Sequence, residues 1–208
     1  MSVSMELVDY FEAKSILNRY GINTVDAKYV TSAADAVRFS NNSKIALKAI
    51  SGKALHKSKS GLVALGLSTK DEISSAYSKL SKAASKYRPY KMLAQRMAPD
   101  GIEIIIGGKR DEQFGKLVLL GLGGIYVEAF RDFALRLCPI SRRDAESMID
   151  QLRSSKVIAP NDSARGMLAD LLIKASEMFM GANISELDLN PVILHDGTYS
   201  AVDLRMMR

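Results

Sequence analysis

The sequence has a single cysteine, no tryptophan and no long apolar run. Because Cys138 has no second cysteine to pair with, a disulfide-stabilised scaffold is excluded. The longest uncharged run covers residues 117–127 and contains three glycines, whereas a membrane-spanning helix needs roughly 20 apolar residues. The first residues carry acids and lack the apolar stretch of a signal peptide, so we expect a cytoplasmic protein.

The charge balance is basic, with 29 Lys and Arg against 23 Asp and Glu, a net charge of +6. Such an excess fits a solvated basic surface, nucleic acid, a membrane surface or a small anionic ligand. The chain lacks the basic, aromatic-rich strand of RNA-binding domains and the Cys/His spacing of zinc sites. We therefore expect neither nucleic acid nor a membrane as partner. The position of the basic residues along the chain is more informative than their number.

Helical and strand patterns are mixed along the chain, and some strands come in hairpins, which predicts an α+β (α/β) fold. A helical pattern is clearest over residues 69–87, with a capping box at its start. Ser141 with Asp144 predicts the cap of a later helix. The principal predicted strands before the C-terminal hairpin are 43–50, 62–67, 91–98, 102–109 and 116–124, and a further strand-like run covers 126–137. The simplest division is a small N-terminal lobe, 1–93, and a larger C-terminal lobe, 94–208.

A basic loop lies between the first two of these strands. Its cationic and glycine residues, together with the lysine of the preceding strand, are Lys48, Gly52, Lys53, His56, Lys57, Lys59 and Gly61. Glycine lets backbone N–H groups turn toward an anion and lysine adds charge, so the loop is a candidate for binding phosphate groups. A P-loop is excluded because the second glycine of its motif is missing and no helix follows. The alternative is a solvated basic hairpin.

His56 is one of only two histidines. The neighbouring lysines favour the neutral imidazole, which is the nucleophilic form. Acceptance of a phosphoryl group by His56 is therefore chemically reasonable. The alternative is a structural or surface histidine, which is the commoner case for a lone histidine.

The C-terminal segment alternates polar and apolar residues. Glu186, Asp188 and Asn190 alternate with leucines, so their oxygens are predicted to lie on one face of a strand. Asp196 and Gly197 form a two-residue turn signal, which predicts that the chain returns as the second strand of a hairpin.

The turn also predicts the pairing of the two strands. If 195 faces 198, Asn190 faces Asp203 and Asp188 faces Arg205, with directly opposed Cβ atoms about 5 Å apart. An amide and a carboxylate at that separation can share a hard cation, so we predict a Mg²⁺ site at Asn190 and Asp203. The alternative is an edge hairpin with a polar, solvated face.

Five stretches are specific only in combination. They are EAKSILNRYGI, LKAISGKALHKSKSGLV, the run from MLAQRM through FGKLVLLGLGGIYVE to LCPI, ELDLNPV and AVDLR. Together they cover essentially the whole chain and resemble the ATP-grasp β subunit, or β domain, of the nucleoside-diphosphate-forming acyl-CoA synthetases, which include ADP-forming acetyl-CoA synthetase. The resemblance implies an ATP-grasp fold whose two lobes clamp ATP or ADP with Mg²⁺. It also implies an α subunit that carries the CoA and acyl sites, in a heterotetramer.

The resemblance implies roles for individual residues. His56 matches the histidine that relays phosphate between a second histidine on the α subunit and ADP. Lys48 matches the strand lysine that contacts the nucleotide phosphates, and we place Lys53, Lys57 and Gly61 with it. The remaining matches are Gln95, Arg96 and Met97 for adenine, Glu103 for ribose, and Asn190 and Asp203 for Mg²⁺. We expect supporting roles at the active face for Glu128, Asp132, Arg136, Glu186 and Asp188.

Two positions depart from the family pattern. Leu62 stands where a second glycine is common, and Gln95 stands where several relatives carry Glu. These departures motivate an alternative, a nucleotide-binding regulatory module attached to another enzyme such as an acetyltransferase. A third possibility is a carboxylate–amine ligase that uses an acyl phosphate and does not need His56.

Overall fold

The computed structural model describes residues 6–53, 61–124 and 132–208. The helices of eight residues or more are α1 (Tyr10–Arg19), α2 (Ala33–Ser40), α3 (Lys70–Ala84), α4 (Arg142–Gln151) and α6 (Asp162–Gly181), with the short α5 at Ser155–Ile158 and a 3₁₀ turn at Ser85–Tyr87. The strands are β1 (Ala27–Tyr29), β2 (Ile45–Ile50), β3 (Val63–Leu67), β4 (Lys91–Arg96), β5 (Ile102–Asp111), β6 (Gly115–Leu122), β7 (Phe133–Leu137), β8 (Glu186–His195), β9 (Thr198–Ala201) and β10 (Leu204–Met207). Within the described residues, no helix has the length and apolar character needed to span a membrane.

The chain divides into two compact units. One is Val25–Ala98, and the other combines Pro99–Arg208 with the first part of the chain, up to Thr24. This division differs from the expected one, 1–93 and 94–208, chiefly in where residues 6–24 lie. They join the larger unit because Glu6 exchanges backbone hydrogen bonds with Arg208, at 2.8 and 3.0 Å.

The smaller unit is a four-stranded antiparallel sheet in the order β1-β4-β2-β3. Helices α2 and α3 supply apolar side chains to its core, which includes Ile73, Leu80 and Leu47. The predicted capping box is confirmed, since Glu72 N–H donates to Thr69 Oγ1 at 3.2 Å and Thr69 N–H donates to Glu72 Oε2 at 3.0 Å. Hydrogen bonds from Ser68 and Thr69 lower the pKa of Glu72 to about 2.

The larger unit contains an antiparallel sheet in the order β10-β8-β5-β6-β7, and β9 pairs with β8. Helix α6 contacts β5 and β6, and α4 contacts β7. Lys116 on β6 donates hydrogen bonds to the carbonyls of Phe179 and Ala182, at the end of α6. The mixture of helices and antiparallel sheets confirms the predicted fold class. The predicted strand-like run 126–137 is confirmed only as β7, since residues 125–131 lie outside the described residues.

Candidate functional site

The C-terminal hairpin has the predicted register. His195 pairs with Thr198, and Asp188 pairs with Arg205. Between these pairs, the backbone N–H of Asn190 donates to the carbonyl of Asp203 at 3.2 Å. The two predicted metal ligands therefore stand opposite each other, on neighbouring segments of one sheet.

The apolar and the polar residues of β8 differ in burial. Leu187 and Leu189 are buried, whereas Asn190 is exposed and Asp188 is partly exposed. The apolar side chains belong to the core, so the polar ones are left toward solvent. This is the arrangement that the alternating pattern predicts.

The oxygen pair suits a hard cation. Asn190 offers an amide oxygen and Asp203 a carboxylate, and Mg²⁺ typically takes one or two such ligands and fills its other positions with water and phosphate oxygens. Among the described residues, no group of three or more His, Cys, Asp or Glu side chains could hold a metal ion. The donor set therefore fits Mg²⁺ bound together with a phosphorylated ligand better than a closed, all-protein metal site. Magnesium binding here stays a prediction.

A groove of about 460 Å³ opens along the same strands. Its walls include Glu186 and Asp188 from β8 and Arg205 from β10. Arg205 Nη2 lies 3.8 Å from Glu186 Oε2. The predicted supporting acids Glu186 and Asp188 thus line an open groove along the strand that carries Asn190.

Lys48 and Gln95 lie in the central strands of the smaller sheet. Lys48 on β2 pairs with Leu93 and is 4% exposed, and Gln95 on β4 pairs with Ala46 and is 0% exposed. Polar groups are rarely buried to this degree without a partner or a task, because removing them from water is unfavourable. Their burial shows that neither side chain is an ordinary solvated surface group.

Arg96 and Met97 follow Gln95 at the end of β4. The Arg96 guanidinium donates to the carbonyl of Ser40, the last residue of α2, and its carbon lies 5.1 Å from the ring centre of Phe39. The Arg96 side chain is thus engaged with α2. The Met97 side chain is 39% exposed, which leaves it accessible to a ligand.

The structure describes the basic loop up to Lys53 and again from Gly61. Lys53 is exposed, and its N–H donates to Ser51 Oγ at 3.2 Å. Gly61 has φ +66°, a left-handed conformation that glycine adopts without strain. Leu62, where a second glycine is common in the family, is 0% exposed and belongs to the apolar core of this unit. The predictions for His56, Lys57 and Glu128 lie outside the described residues, as does Lys59.

Asp132 and Arg136 both make hydrogen bonds that connect neighbouring elements of the larger unit. Asp132 accepts hydrogen bonds from the N–H groups of Arg153 and Ser154, at 2.8 and 2.9 Å. Burial alone would raise the pKa of Asp132, but these hydrogen bonds outweigh it and keep the pKa below its ordinary value. Arg136 donates to Gln151 Oε1 at 3.0 Å and to Ser147 Oγ at 2.9 Å. The two side chains attach β7 and its start to α4 and to the segment that follows α4.

Glu103 lies on β5, is exposed, and pairs with Ile193 of β8. A glycine pair to which sequence reasoning gave no role adjoins it: Gly123 N–H donates to the carbonyl of Glu103 at 2.7 Å, and a Cβ atom on Gly124 would lie 3.2 Å from Glu103 Oε2. The signal was visible as two consecutive glycines at the end of a predicted strand. The run GLGG at 121–124 lacks the GxGxxG spacing of a Rossmann-like unit, so the sequence excludes that role for these glycines and indicates no other.

Two antiparallel sheets, one carrying a buried lysine and the other an Asn/Asp oxygen pair, are the features expected of an ATP-grasp domain. The sequence pattern of the ATP-grasp domain family matches residues 3–207, and the chain belongs to this family.

Within that class, the chain belongs with the β subunits of ADP-forming acetate–CoA ligases. It is 34% identical over 210 residues to the β subunit of acetate–CoA ligase [ADP-forming] I of Pyrococcus furiosus, an alignment that covers 94% of this chain and 89% of the relative. The corresponding β subunit of ligase II of the same organism is 32% identical, with 91% and 85% covered.

A solved structure of similar fold is acetyl-coenzyme A synthetase 1 of Ca. Korarchaeum cryptofilum, described as dinucleotide forming, in complex with coenzyme A, Ca-AMPCP and HgCl⁺. It matches with a TM-score of 0.86 and 34% identity, over 99% of this chain and 94% of the other. A second structure of that enzyme contains coenzyme A and Mg-AMPPCP, with a phosphohistidine segment pointing towards the nucleotide binding site. It matches with a TM-score of 0.79 and 34% identity, over 97% and 92% of the two chains.

Proposed function

We propose that the chain is the nucleotide-binding β subunit of an ADP-forming acyl-CoA synthetase. It binds Mg-ATP or Mg-ADP and transfers a phosphoryl group between phosphorylated His56 and ADP, which couples cleavage of an acyl-CoA thioester to ATP synthesis. The observation that carries the proposal is the opposed pair Asn190 and Asp203 in a chain of this family. The Mg-AMPPCP complex of the similar synthetase supports the same ligand.

The proposal assigns the parts of the nucleotide to different residues. Lys48, Lys53, Lys57 and Gly61 contact its phosphates, and Gln95, Arg96 and Met97 hold the adenine. For Arg96 the engagement of the guanidinium with Ser40 and Phe39 favours contact through the backbone. Glu103, exposed on β5, accepts hydrogen bonds from the ribose hydroxyls.

The transfer itself needs positioning and charge neutralisation more than further covalent chemistry. When bound, Mg²⁺ supplies positive charge at the phosphates, held by Asn190 and Asp203. An oxygen of the ADP β-phosphate forms a bond to phosphorus as the bond from phosphorus to the His56 nitrogen breaks. The bonding pair returns to that nitrogen while the other ring nitrogen keeps its proton, which regenerates the neutral imidazole. The relay through His56 divides one difficult transfer into two easier ones.

The proposal also requires a partner. The relatives named β subunits imply an α subunit, and we propose that it carries the CoA and acyl sites in a cytoplasmic heterotetramer. The single cysteine supports a reducing compartment. Co-expression of the chain with the product of its neighbouring gene, followed by mass measurement of the native complex, tests the assembly.

Labelling of His56 tests the proposed reaction. The complex is incubated with acetyl-CoA, Mg²⁺ and radioactive phosphate, and the β subunit is examined for acid-labile, alkali-stable label. We expect label in the wild type and in His195→Ala, the matched control at the other histidine, whose Nε2 lies 3.1 Å from Ser200 Oγ. Label should be absent from His56→Ala, and full activity of that variant would overturn the relay.

A further inference from the structure

The end of β6 lies unusually close to Glu103. Gly123 continues the β5–β6 pairing by one position, and its N–H donates to the Glu103 carbonyl at 2.7 Å. A Cβ atom on Gly123 would lie 2.8 Å from the Glu103 carbonyl carbon and 2.9 Å from its oxygen. Those atoms are backbone and cannot move aside, so only glycine allows β6 to approach Glu103 this closely.

The next residue turns toward the side chain of the same glutamate. Gly124 has φ +73°, a left-handed conformation, and a Cβ atom there would lie 3.2 Å from Glu103 Oε2. Two consecutive glycines thus leave room for Glu103, the first for its backbone and the second for its carboxylate. Because Gly124 has no Cβ, the carboxylate can occupy its present, exposed position.

We infer that Gly124 is a positioning residue for Glu103: because position 124 has no Cβ, the carboxylate can lie where it accepts hydrogen bonds from the ribose hydroxyls of the bound nucleotide. This inference rests on the proposed function and extends it, because it names a residue that sets recognition of the sugar. A side chain at 124 moves the carboxylate by a few tenths of an ångström or more. That displacement weakens hydrogen bonds to the sugar and leaves the phosphate and adenine contacts in place.

The test compares nucleotides with and without ribose hydroxyls. Binding of Mg-ADP and Mg-2′,3′-dideoxy-ADP is measured by calorimetry on the full-length chain in complex with its partner subunit. In the wild type, ADP binds roughly tenfold more tightly than the dideoxy analogue, the range expected for hydrogen bonds to a charged acceptor. In Gly124→Ala most of that ratio is lost, through weaker ADP binding with unchanged binding of the analogue.

Two further variants separate crowding from backbone strain. Asn tolerates the left-handed conformation better than Ala, so Gly124→Asn keeps the backbone while its Cβ still crowds the carboxylate. It should lose the ADP preference as Gly124→Ala does. Gly115→Ala is the matched control, since Gly115 is also left-handed, with φ +83°, and a Cβ there meets nothing within 4 Å in the described structure. It should keep the full ratio.

Glu103→Gln completes a double-mutant cycle. If Gly124 acts through Glu103, adding Gly124→Ala to Glu103→Gln lowers ADP affinity no further. Equal losses for ADP and dideoxy-ADP in both Gly124 variants, or additive losses in the cycle, would overturn the inference while leaving nucleotide binding intact. Failure of the wild type to bind Mg-ADP at all would instead overturn the proposed function.

Discussion

The larger unit presents its candidate ligands on the solvent side of a sheet, whereas the smaller unit buries two of its candidates inside one. Asn190 is exposed and stands over buried Leu187 and Leu189, so its oxygen can reach a ligand without disturbing the core. Lys48 and Gln95 are 4% and 0% exposed. Substitution of the candidate ligands in the hairpin should therefore affect binding alone. Substitution of Lys48 or Gln95 in the smaller sheet should affect binding and stability together.

The largest expected effect is at Asp203. Asp203→Asn keeps the shape of the side chain and removes the charge that would hold Mg²⁺. We expect activity of the complex to fall by roughly 100-fold or more, with little change in thermal stability because the residue is partly exposed. Steady-state kinetics over a range of Mg²⁺ concentrations, with a melting curve, measure both.

The control for Asp203 is Asp196→Asn, in the exposed turn of the same hairpin. It removes the same charge from the same element and should keep wild-type activity. An equal loss in both variants would mean that the hairpin contributes only general negative charge.

Substitution of Lys48, unlike that of Asp203, should change both stability and ADP binding. Lys48→Ala leaves a cavity in a central strand, so we expect a loss of about 2 kcal/mol of unfolding free energy together with weaker ADP binding. Lys48→Met fills most of that volume and should recover the stability without the binding. Denaturant unfolding and calorimetry on the same preparations separate the two terms, and recovery of ADP affinity by Met would contradict a role for the ammonium group.

The smallest effects are expected at the two capping boxes, one in each unit. The folded pKa of Glu72 is about 2, below its ordinary 4.5, so the ionised carboxylate stabilises the fold above pH 4.5 and loses that effect as the pH falls toward 2. Glu72→Gln should lower the melting temperature slightly at pH 7, and the difference from wild type should shrink across that window.

Asp144 allows the same measurement in the larger unit, where hydrogen bonds from Ser141 lower its pKa. Asp144→Asn should behave in the same direction as Glu72→Gln. A difference from wild type that grows on acidification would contradict the capping account in either unit.

Local patterns predicted part of this structure well. The capping boxes at Thr69 and Ser141 and the hairpin register through Asp196 and Gly197 involve residues close in sequence, and each is present as expected. In such motifs a single turn or cap determines which backbone groups meet.

Other features depend on residues far apart in the chain, which local patterns do not report. Residues 6–24 join the larger unit through the hydrogen bonds between Glu6 and Arg208, which are the two ends of the described chain. The contact of Arg96 with Ser40 and the approach of Gly123 to Glu103 likewise depend on tertiary packing. The sequence predicted roles for Arg96 and Glu103 but not their tertiary neighbours, Ser40 and Gly123.

The central claim is that phosphate passes from His56 to ADP, and a chase experiment tests it most directly. The complex is first labelled with acetyl-CoA and radioactive phosphate, freed of both, and then mixed with Mg-ADP. The account predicts that label leaves the β subunit and appears as ATP, and that Asp203→Asn, labelled in the same way, releases it far more slowly. Label that stays on the protein after Mg-ADP is added, or that leaves as free phosphate without forming ATP, would contradict the account.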